Sequence, residues 1–186
     1  MEQRQMIKAG KIMHGYYQSP DFFEHAKNII KQNLSVKKKY IRSFELKYPI
    51  SQTQQILTIH IRGGDYKIQP QNLLPLHYYQ TCLEIIKSLE NYSIYIISDD
   101  FEYASDFVSK LELGSARVVF SRQSLIDDFL LLKFAKIAII SNSTFAWWAA
   151  YLNETAKQIF APKNWLGYNR KNEYPKGIMN VNFTWV

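Results

Sequence analysis

The chain has 186 residues, of which 47% are hydrophobic and 21% are charged, and its formal net charge is +7. This composition suits one soluble domain with a sizeable core. No apolar run approaches the roughly 20 residues that a membrane span needs, and the polar first residues are unlike a signal peptide. The single cysteine, Cys82, excludes an internal disulfide. We therefore expect a cytoplasmic protein in which Cys82 is a buried, unreactive thiol.

The positive charge is concentrated at the start of the chain. Residues 1–50 carry an excess of six positive charges, whereas residues 51–186 carry an excess of one. We interpret residues 1–50 as a basic helical connecting segment, with a helix predicted over 22–34 after the start signal Ser19-Pro20-Asp21. A solvated basic face is the first interpretation, and peripheral contact with an anionic membrane surface is the second. Nucleic acid is third, and we expect no such partner because no zinc-finger or RNA-recognition signature is present.

Residues 51–186 alternate short β-rich runs with longer helical patterns, which is typical of βαβ units and a parallel sheet. We predict an α/β fold with a Rossmann-like open parallel sheet flanked by helices. The predicted strands are 56–61, 93–98, 116–120, 137–141 and 157–160, and the predicted helices are 77–90, 101–112, 124–135 and 144–152.

Each of the first four predicted strands ends in a polar cluster. The clusters are Arg62–Asp65, Ser98–Asp100, Ser121–Arg122 and Ser141–Thr144. Ligands of open parallel sheets bind beyond the carboxyl ends of the strands, so these clusters predict a binding crevice. Helix capping explains the serine clusters about equally well.

The first cluster, in the segment His60-Ile61-Arg62-Gly63-Gly64-Asp65-Tyr66, is the most informative. Glycine allows the backbone to approach an anion closely, and an arginine fork bonds two phosphate oxygens without losing its charge. The segment therefore predicts a phosphate site around Arg62, with Asp65 orienting the guanidinium. An ordinary structural ion pair is the competing interpretation.

The fourth cluster, Ser141-Asn142-Ser143-Thr144, leads directly into the helix that begins with Phe145-Ala146-Trp147-Trp148. A helix N-terminus presents free amides, which suit a diphosphate. The paired tryptophans are more consistent with core anchors than with a stacking platform. Asp127-Asp128 opens another apolar helix, where capping and contact with a nucleoside are equally good interpretations.

Several nucleotide-binding patterns are absent from the sequence. There is no G-x-x-x-x-G-K-[ST] loop, no G-x-G-x-x-G fingerprint and no D-x-D pair, and the four histidines lack metal-ligand spacing. We therefore expect recognition of a diphosphate without a metal or other cofactor.

Six segments in order resemble glycosyltransferase family 11, the inverting α-1,2-fucosyltransferases, whose hallmark is His-x-Arg-Arg-Gly-Asp-Tyr. The segments are Gly15–Ser19, His60–Tyr66, Ile97–Asp100, Asp127-Asp128, Ser141–Trp148 and Ala161–Trp165. The resemblance covers nearly the whole chain. It implies the donor-binding half of a GT-B glycosyltransferase, which would transfer fucose from GDP-fucose to a galactose-containing glycan of a bacterial surface.

The resemblance also implies roles for individual residues. Arg62 would hold the β-phosphate and serve catalysis, His60 and Asp128 would lie near the guanosine, and Ser143 with Thr144 would meet the diphosphate. Asp65 is the candidate second catalytic residue, and Asp99 and Asp100 are alternative bases. The remaining candidates for donor binding are Gly64, Ser98, Asp99, Asp127, Ser141, Asn142 and Phe145.

Two departures from the family pattern affect these expectations. Gly63 stands where the family usually carries its second arginine, and Lys67 or Arg122 could replace that cation. The given sequence also lacks the Gly-rich first strand and N-terminal domain of the family, so we expect the cleft to be completed by another chain, as a partner or in a homo-oligomer, or by a region of the protein beyond this sequence. Three hypotheses stay open: a fucosyltransferase, a GDP-sugar-binding remnant without transfer activity, and a basic surface-binding module.

Overall fold

The computed structural model describes residues 15–48 and 55–186, which build a six-stranded, fully parallel sheet. The strands are β1 (Gln55–Ile61), β2 (Tyr92–Ser98), β3 (Arg117–Phe120), β4 (Ile137–Ile139), β5 (Gln158–Ala161) and β6 (Thr184–Trp185). Their spatial order is β3-β2-β1-β4-β5-β6. This is the doubly wound order of Rossmann folds, in which the chain reverses its direction of growth between β1 and β4.

Six α-helices of the described residues cover the two faces of the sheet. They are α1 (Lys27–Asn33), α2 (Lys38–Lys47), α3 (Leu76–Ile85), α4 (Phe101–Val108), α5 (Leu125–Phe134) and α6 (Thr144–Tyr151). Residues of α3 and α4 share one core cluster, and residues of α2, α5 and α6 share the other. None of these helices is long and apolar enough to cross a membrane.

Strand β1 lies in the centre of the sheet and is buried on both faces, which explains its nearly continuous apolar sequence. Leu57, Ile59 and Ile61 belong to the core under α3 and α4, whereas Ile56 belongs to the core under α5 and α6. Alternation along the strand places His60 on the same face as Ile56. The imidazole of His60 therefore lies on the face of the sheet that α5 and α6 cover.

The predicted fold class is confirmed, and the five predicted strands and the four predicted helices after residue 51 are present. The helices predicted over 77–90 and 101–112 are shorter than predicted, since α3 ends at Ile85 and α4 at Val108. The strand β6 was not predicted, because two residues are too few for a periodic pattern. The boundary predicted between residues 50 and 51 lies outside the described residues. The basic segment before it nevertheless contributes Phe23 and Phe44 to the core.

The single helix predicted over 22–34 is wrong. The segment forms 3-10 turns at Pro20–Phe22 and Glu24–Ala26, and an α-helix begins only at Lys27. Phe23 interrupts the helix with a φ of −145°, and its buried ring packs against Trp148 and Tyr151 at 5.5 Å between centroids. Packing of this one aromatic side chain therefore overrides the local helical pattern.

Two predictions about the core concern the paired tryptophans and Cys82. Trp147 is fully buried on α6 and stacks on Tyr151, which confirms it as a core anchor, whereas Trp148 is only partly buried against the same core. Cys82 is fully buried on α3, and burial raises the pKa of its thiol to about 12. At neutral pH the thiol is therefore protonated and unreactive.

Candidate active site

The predicted polar clusters gather at the carboxyl edge of the sheet, around the point where the strand order reverses. The residues that follow β1 lie between those that follow β2 on one side and those that follow β4 on the other. We call these the β2 side and the β4 side of the crevice. The two sides differ in chemistry.

The β4 side is built on a buried histidine. His60 is 4% exposed, and its Nδ1 lies 2.7 Å from the hydroxyl oxygen of Ser141, which is 1% exposed. The ring of Phe145 lies 6.2 Å from the imidazole centroid. Burial, assisted by the charge of Arg62, lowers the pKa of His60 to about 3. The imidazole is therefore neutral at physiological pH and can recognise a ligand only by hydrogen bonding.

Asn142 shapes the loop between β4 and α6. Its side chain is 2% exposed and donates from Nδ2 to the carbonyl of Asn72 at 2.9 Å, while its Oδ1 has no hydrogen-bond partner among the described residues. Ser143 follows at the N-cap of α6 but makes no side-chain capping bond, and Thr144 is the first residue of that helix. The backbone amides in the first turn of α6 are therefore free to donate hydrogen bonds to an anion.

The β2 side is charged and centres on Arg62. The guanidinium donates from Nε and Nη2 to Oδ1 of Asp65, at 3.0 Å and 2.8 Å, and its Nη1 lies 3.0 Å from Oδ2 of Asp99. The structure contains the ion pair between Arg62 and Asp65, and Asp99 is a second partner that the sequence did not reveal. The arginine is thus held by two carboxylates before any phosphate is bound.

Asp99 also fixes the glycine turn. Its Oδ1 accepts a hydrogen bond of 2.9 Å from the backbone amide of Gly63. A Cβ atom at position 64 would collide with the same carboxylate. Gly64 is therefore required for the close approach of the turn to β2, rather than for a positive φ.

Residues of the neighbouring turn and helix leave no room for a side chain at position 63. A Cβ atom there would collide with the ring of Tyr103 and would lie 3.1 Å from Cβ of Asp100. Lys67 forms an ion pair with Asp100, and its Nζ lies 5.6 Å from the Tyr103 ring centroid. A lysine from the next turn thus neutralises the carboxylate beside Gly63. The other candidate cation, Arg122, stacks 3.9 Å over the ring of Phe101.

The two aspartates at the start of α5 have different surroundings. Asp127 is 3% exposed, and its Oδ2 accepts hydrogen bonds from Lys47 at 2.7 Å and from Ser124 at 2.9 Å. Burial alone would raise the pKa of Asp127, but these hydrogen bonds outweigh it and the pKa is lowered. Asp127 is thus engaged in a structural ion pair, and its predicted contact with the donor stays a prediction.

Asp128, by contrast, accepts a hydrogen bond from the hydroxyl of Ser121 and makes no ion pair with a described residue. Burial and the neighbouring Asp127 raise its pKa, although the bond from Ser121 opposes this. A half-buried carboxylate without a cation is available to accept hydrogen bonds from sugar hydroxyls or amino groups. Ser98 has a local role, since its hydroxyl donates to the carbonyl of Asp100 and closes the turn after β2.

Tyr66 links the two sides and was not predicted as a site residue. Its hydroxyl donates to the carbonyl of Asn142 at 3.0 Å, and Cζ of Arg62 lies 5.5 Å from its ring centroid. Only its place in the glycine turn signalled a role. The described residues contain no group of three or more acidic, histidine or cysteine side chains that could hold a metal ion.

A separate groove of about 710 Å³ does not include the residues of the candidate crevice. It is lined in part by Tyr151 at the end of α6, Gln158 at the start of β5 and Thr184 at the start of β6. It is therefore at the amino edge of the sheet, opposite the candidate crevice, where open parallel sheets do not bind their ligands.

Comparison with known proteins gives a family and a small number of relatives. The model of the family described as Glycosyl transferase family 11 matches residues 8–186. The O-antigen biosynthesis glycosyltransferase WbnK of Escherichia coli is 26% identical over 179 residues, which cover 90% of this chain and 59% of that protein. An alpha-1,2-colitosyltransferase of Escherichia coli is 27% identical over 169 residues, which cover 86% of this chain and 58% of that protein.

Among solved structures, that of the alpha-1,6-fucosyltransferase NodZ soaked with GDP-fucose aligns with a TM-score of 0.48 and 17% identity, over 73% of this chain and 48% of that one. The chain spans less than two thirds of the length of each of the two curated relatives. The family assignment does not depend on these partial alignments, because the family model covers almost the entire sequence. The protein belongs to glycosyl transferase family 11.

Proposed function

We propose that the chain is the donor-binding half of a GT-B, metal-independent α-1,2-fucosyltransferase that uses GDP-fucose and a galactose-containing glycan. The observation that carries this proposal is the position of Arg62, a fixed cation at the end of β1 where the strand order reverses. Family membership supports glycosyl transfer, and one relative is named for α-1,2 transfer of colitose. Fucose as the sugar and galactose as the acceptor follow from the resemblance of the six segments.

In the proposed complex the diphosphate lies between Arg62 and the first turn of α6. The uncapped amides after Ser143 and the hydroxyl of Thr144 would donate hydrogen bonds to the diphosphate from one side, and Arg62 would pair with the β-phosphate from the other. His60 is neutral and buried, so it suits a polar edge of guanosine better than a phosphate. Asp128 would receive hydrogen bonds from the same nucleoside.

The proposed reaction is a single displacement with inversion at the anomeric carbon. The acceptor oxygen forms a bond to that carbon as the bond to the β-phosphate oxygen breaks, and GDP leaves with the electron pair. Arg62 would stabilise the charge that develops on the leaving diphosphate. Asp65, which is exposed and bonded to Arg62, is the candidate base for the proton of the acceptor hydroxyl.

Binding of the donor has to compete with the carboxylates that already engage Arg62. Asp65 is the more exposed of the two, with 62% of its side chain accessible against 27% for Asp99, and it has no bond to the glycine turn. We expect Asp65 to leave the guanidinium when the phosphate arrives. Because Gly63 supplies no second guanidinium, binding of a GDP-sugar without transfer is the second candidate function.

Calorimetric titration with GDP and GDP-fucose, without added metal, tests donor binding directly. Arg62→Ala removes a charge-assisted hydrogen-bond donor, so we expect GDP affinity to fall by about 30-fold or more. Arg117→Ala is the matched control, because Arg117 is exposed at the start of β3 and makes no ion pair with a described residue. Equal GDP binding by wild type and Arg62→Ala would refute the assignment.

Transfer is tested separately with radiolabelled GDP-fucose and a galactoside acceptor. Labelled product that requires Arg62 and forms in the presence of a chelator would support the fucosyltransferase. Tight GDP binding with no product would favour the second candidate function. Replacing the fucosyl donor by a colitosyl donor would then distinguish an inactive chain from one that uses another sugar.

A further inference from the structure

Helix α2 has one face in the core and an opposite face directed to solvent. Phe44 is fully buried, and its ring contacts those of Tyr48 and Phe134 at 4.8 Å and 5.8 Å between centroids. Helical periodicity places four exposed residues on the side opposite Phe44. We call this set the basic face, and it consists of Lys38, Lys39, Arg42 and Leu46.

The three cations of the basic face form no ion pair with a described residue, whereas three other lysines of the same segment do. Lys27, Lys31 and Lys47 form ion pairs with Glu24, Glu154 and Asp127. Within residues 15–48 and 55–186, Lys38, Lys39 and Arg42 make no ion pair, and neither does Lys37 at the N-cap. An ordinary solvated helix face mixes both signs of charge, whereas Glu45 is the single acidic residue of α2.

The direction of the basic face is fixed by the anchoring of the helix. At its C-terminus, Nζ of Lys47 bonds to the buried carboxylate of Asp127 at 2.7 Å. This bond and the burial of Phe44 hold α2 against α5, so the cations are presented together without ordering of the backbone. Because Asp127 lies at the start of α5, the same contact places one end of the basic face next to the candidate crevice.

An apolar side chain lies among these cations. Leu46 is 86% exposed. Tyr40 lies one turn before Phe44, on the Phe44 side of the helix, and Nζ of Lys39 lies 4.8 Å from its ring centroid. A leucine beside lysines suits a bilayer surface, where the cations meet lipid phosphates and the leucine enters the boundary of the acyl chains. A nucleic acid backbone would satisfy the cations but would leave the leucine in water.

We propose that the basic face of α2 docks on an anionic lipid surface. The docking goes beyond the proposed transferase function and does not depend on it. It would hold the candidate crevice beside the bilayer. The lipid phosphates would then pair with the cations of the basic face, which form no ion pair with a described residue.

Co-sedimentation of the full chain with lipid vesicles tests the docking. We expect binding to phosphatidylcholine vesicles that contain phosphatidylglycerol, and little binding to phosphatidylcholine alone. Each cation contributes about five-fold to such binding, so the triple variant Lys38→Gln/Lys39→Gln/Arg42→Gln is expected to bind about 100-fold more weakly. Glutamine preserves the helix because its helix propensity is close to that of lysine and arginine.

The matched control is Lys87→Gln/Arg117→Gln/Lys176→Gln, which removes the same three charges from exposed residues without ion pairs elsewhere in the described chain. Equal losses in the two triple variants would overturn the proposal, because net charge alone would then explain binding. If wild type sedimented equally with neutral and with anionic vesicles, the proposal would be overturned as well. Tighter binding of wild type to a DNA duplex than to the anionic vesicles would assign the face to nucleic acid instead.

Leu46→Gln separates lipid from other polyanions. We expect it to weaken vesicle binding by about three- to ten-fold, as loss of a leucine side chain that is only partly buried at the bilayer boundary predicts, and to leave binding to heparin unchanged. An unchanged vesicle affinity would overturn the role of the leucine. GDP titration of the basic-face triple variant should match wild type, so failure of docking and failure of donor binding are distinguishable. Circular dichroism melting verifies that each variant is folded.

Discussion

The polar groups on the two sides of the candidate crevice differ in burial and in charge. On the β4 side, His60 and Ser141 are almost completely buried, uncharged and joined by one short hydrogen bond. On the β2 side, Arg62, Asp65 and Asp99 are partly exposed, charged and joined by ion pairs. Buried neutral groups hold one geometry because losing a partner is costly, whereas exposed ion pairs exchange partners at little cost. We therefore expect a rigid β4 side and an adaptable β2 side.

Acid should destabilise the β4 side first and by the largest amount. The folded-state pKa of His60, about 3, is below the ordinary value near 6.5, so the unfolded chain takes up a proton first. Stability from this group is complete above pH 6.5 and is lost as the pH falls toward 3. Between pH 7 and pH 5 the loss is about 2 kcal/mol.

Urea unfolding at pH 7 and pH 5 measures this effect, with His60→Asn as the control. The variant should lack this part of the acid loss, because no imidazole is left to titrate. On the β2 side, Asp100 and Lys67 should not lose stability between pH 7 and pH 5. The ion pair with Lys67 lowers the pKa of Asp100, and the hydrogen bond to Asp100 raises the pKa of Lys67, so both stay charged in this range. The same acid sensitivity in wild type and His60→Asn would contradict the assignment.

Ser141→Ala should produce the next largest effect. The change leaves Nδ1 of His60 buried without its partner, and we expect the free energy of unfolding to fall by about 1.5 kcal/mol. Ser93→Ala is a matched control, because Ser93 is a 5% exposed serine in β2 whose hydroxyl makes no hydrogen bond with a described residue. Chemical denaturation of both variants at pH 7 provides the comparison, and equal losses would mean that the bond to His60 contributes nothing.

The contrast between the sides explains how much the sequence could predict. Apolar runs and polar strand ends identified the sheet, the crevice and Arg62, because those features depend on neighbours along the chain. The bond from Gly63 to Asp99 joins residues 36 positions apart, and the bond from Tyr66 to Asn142 joins residues 76 apart. Such partners depend on strand order, which periodicity does not reveal. The break of the first helix at Phe23 likewise depends on an aromatic pocket formed by α6.

Tyr66→Phe tests whether the two sides are mechanically joined. Loss of the hydroxyl removes the bond to the Asn142 carbonyl but keeps the ring beside Arg62, so we expect about 1 kcal/mol of destabilisation. If the bond positions the loop before α6 for the diphosphate, GDP affinity should fall by about five-fold as well. Calorimetry with GDP provides the second measurement. A loss of stability without a loss of affinity would mean that the two sides bind independently.

Asp65→Asn should have the smallest effect on stability, below about 0.5 kcal/mol, because the ion pair with Arg62 is exposed. Its effect on GDP affinity should have the opposite sign to that of Arg62→Ala. Asparagine carries no charge to compete with phosphate, so the freed guanidinium should bind GDP about three-fold more tightly. Asp106→Asn is the matched control, since Asp106 on α4 has a similar exposure and forms a similar ion pair with Lys110. Weaker GDP binding by Asp65→Asn would mean that Asp65 orients Arg62 in the complex rather than yielding to the phosphate, and the β2 side would then be as rigid as the β4 side.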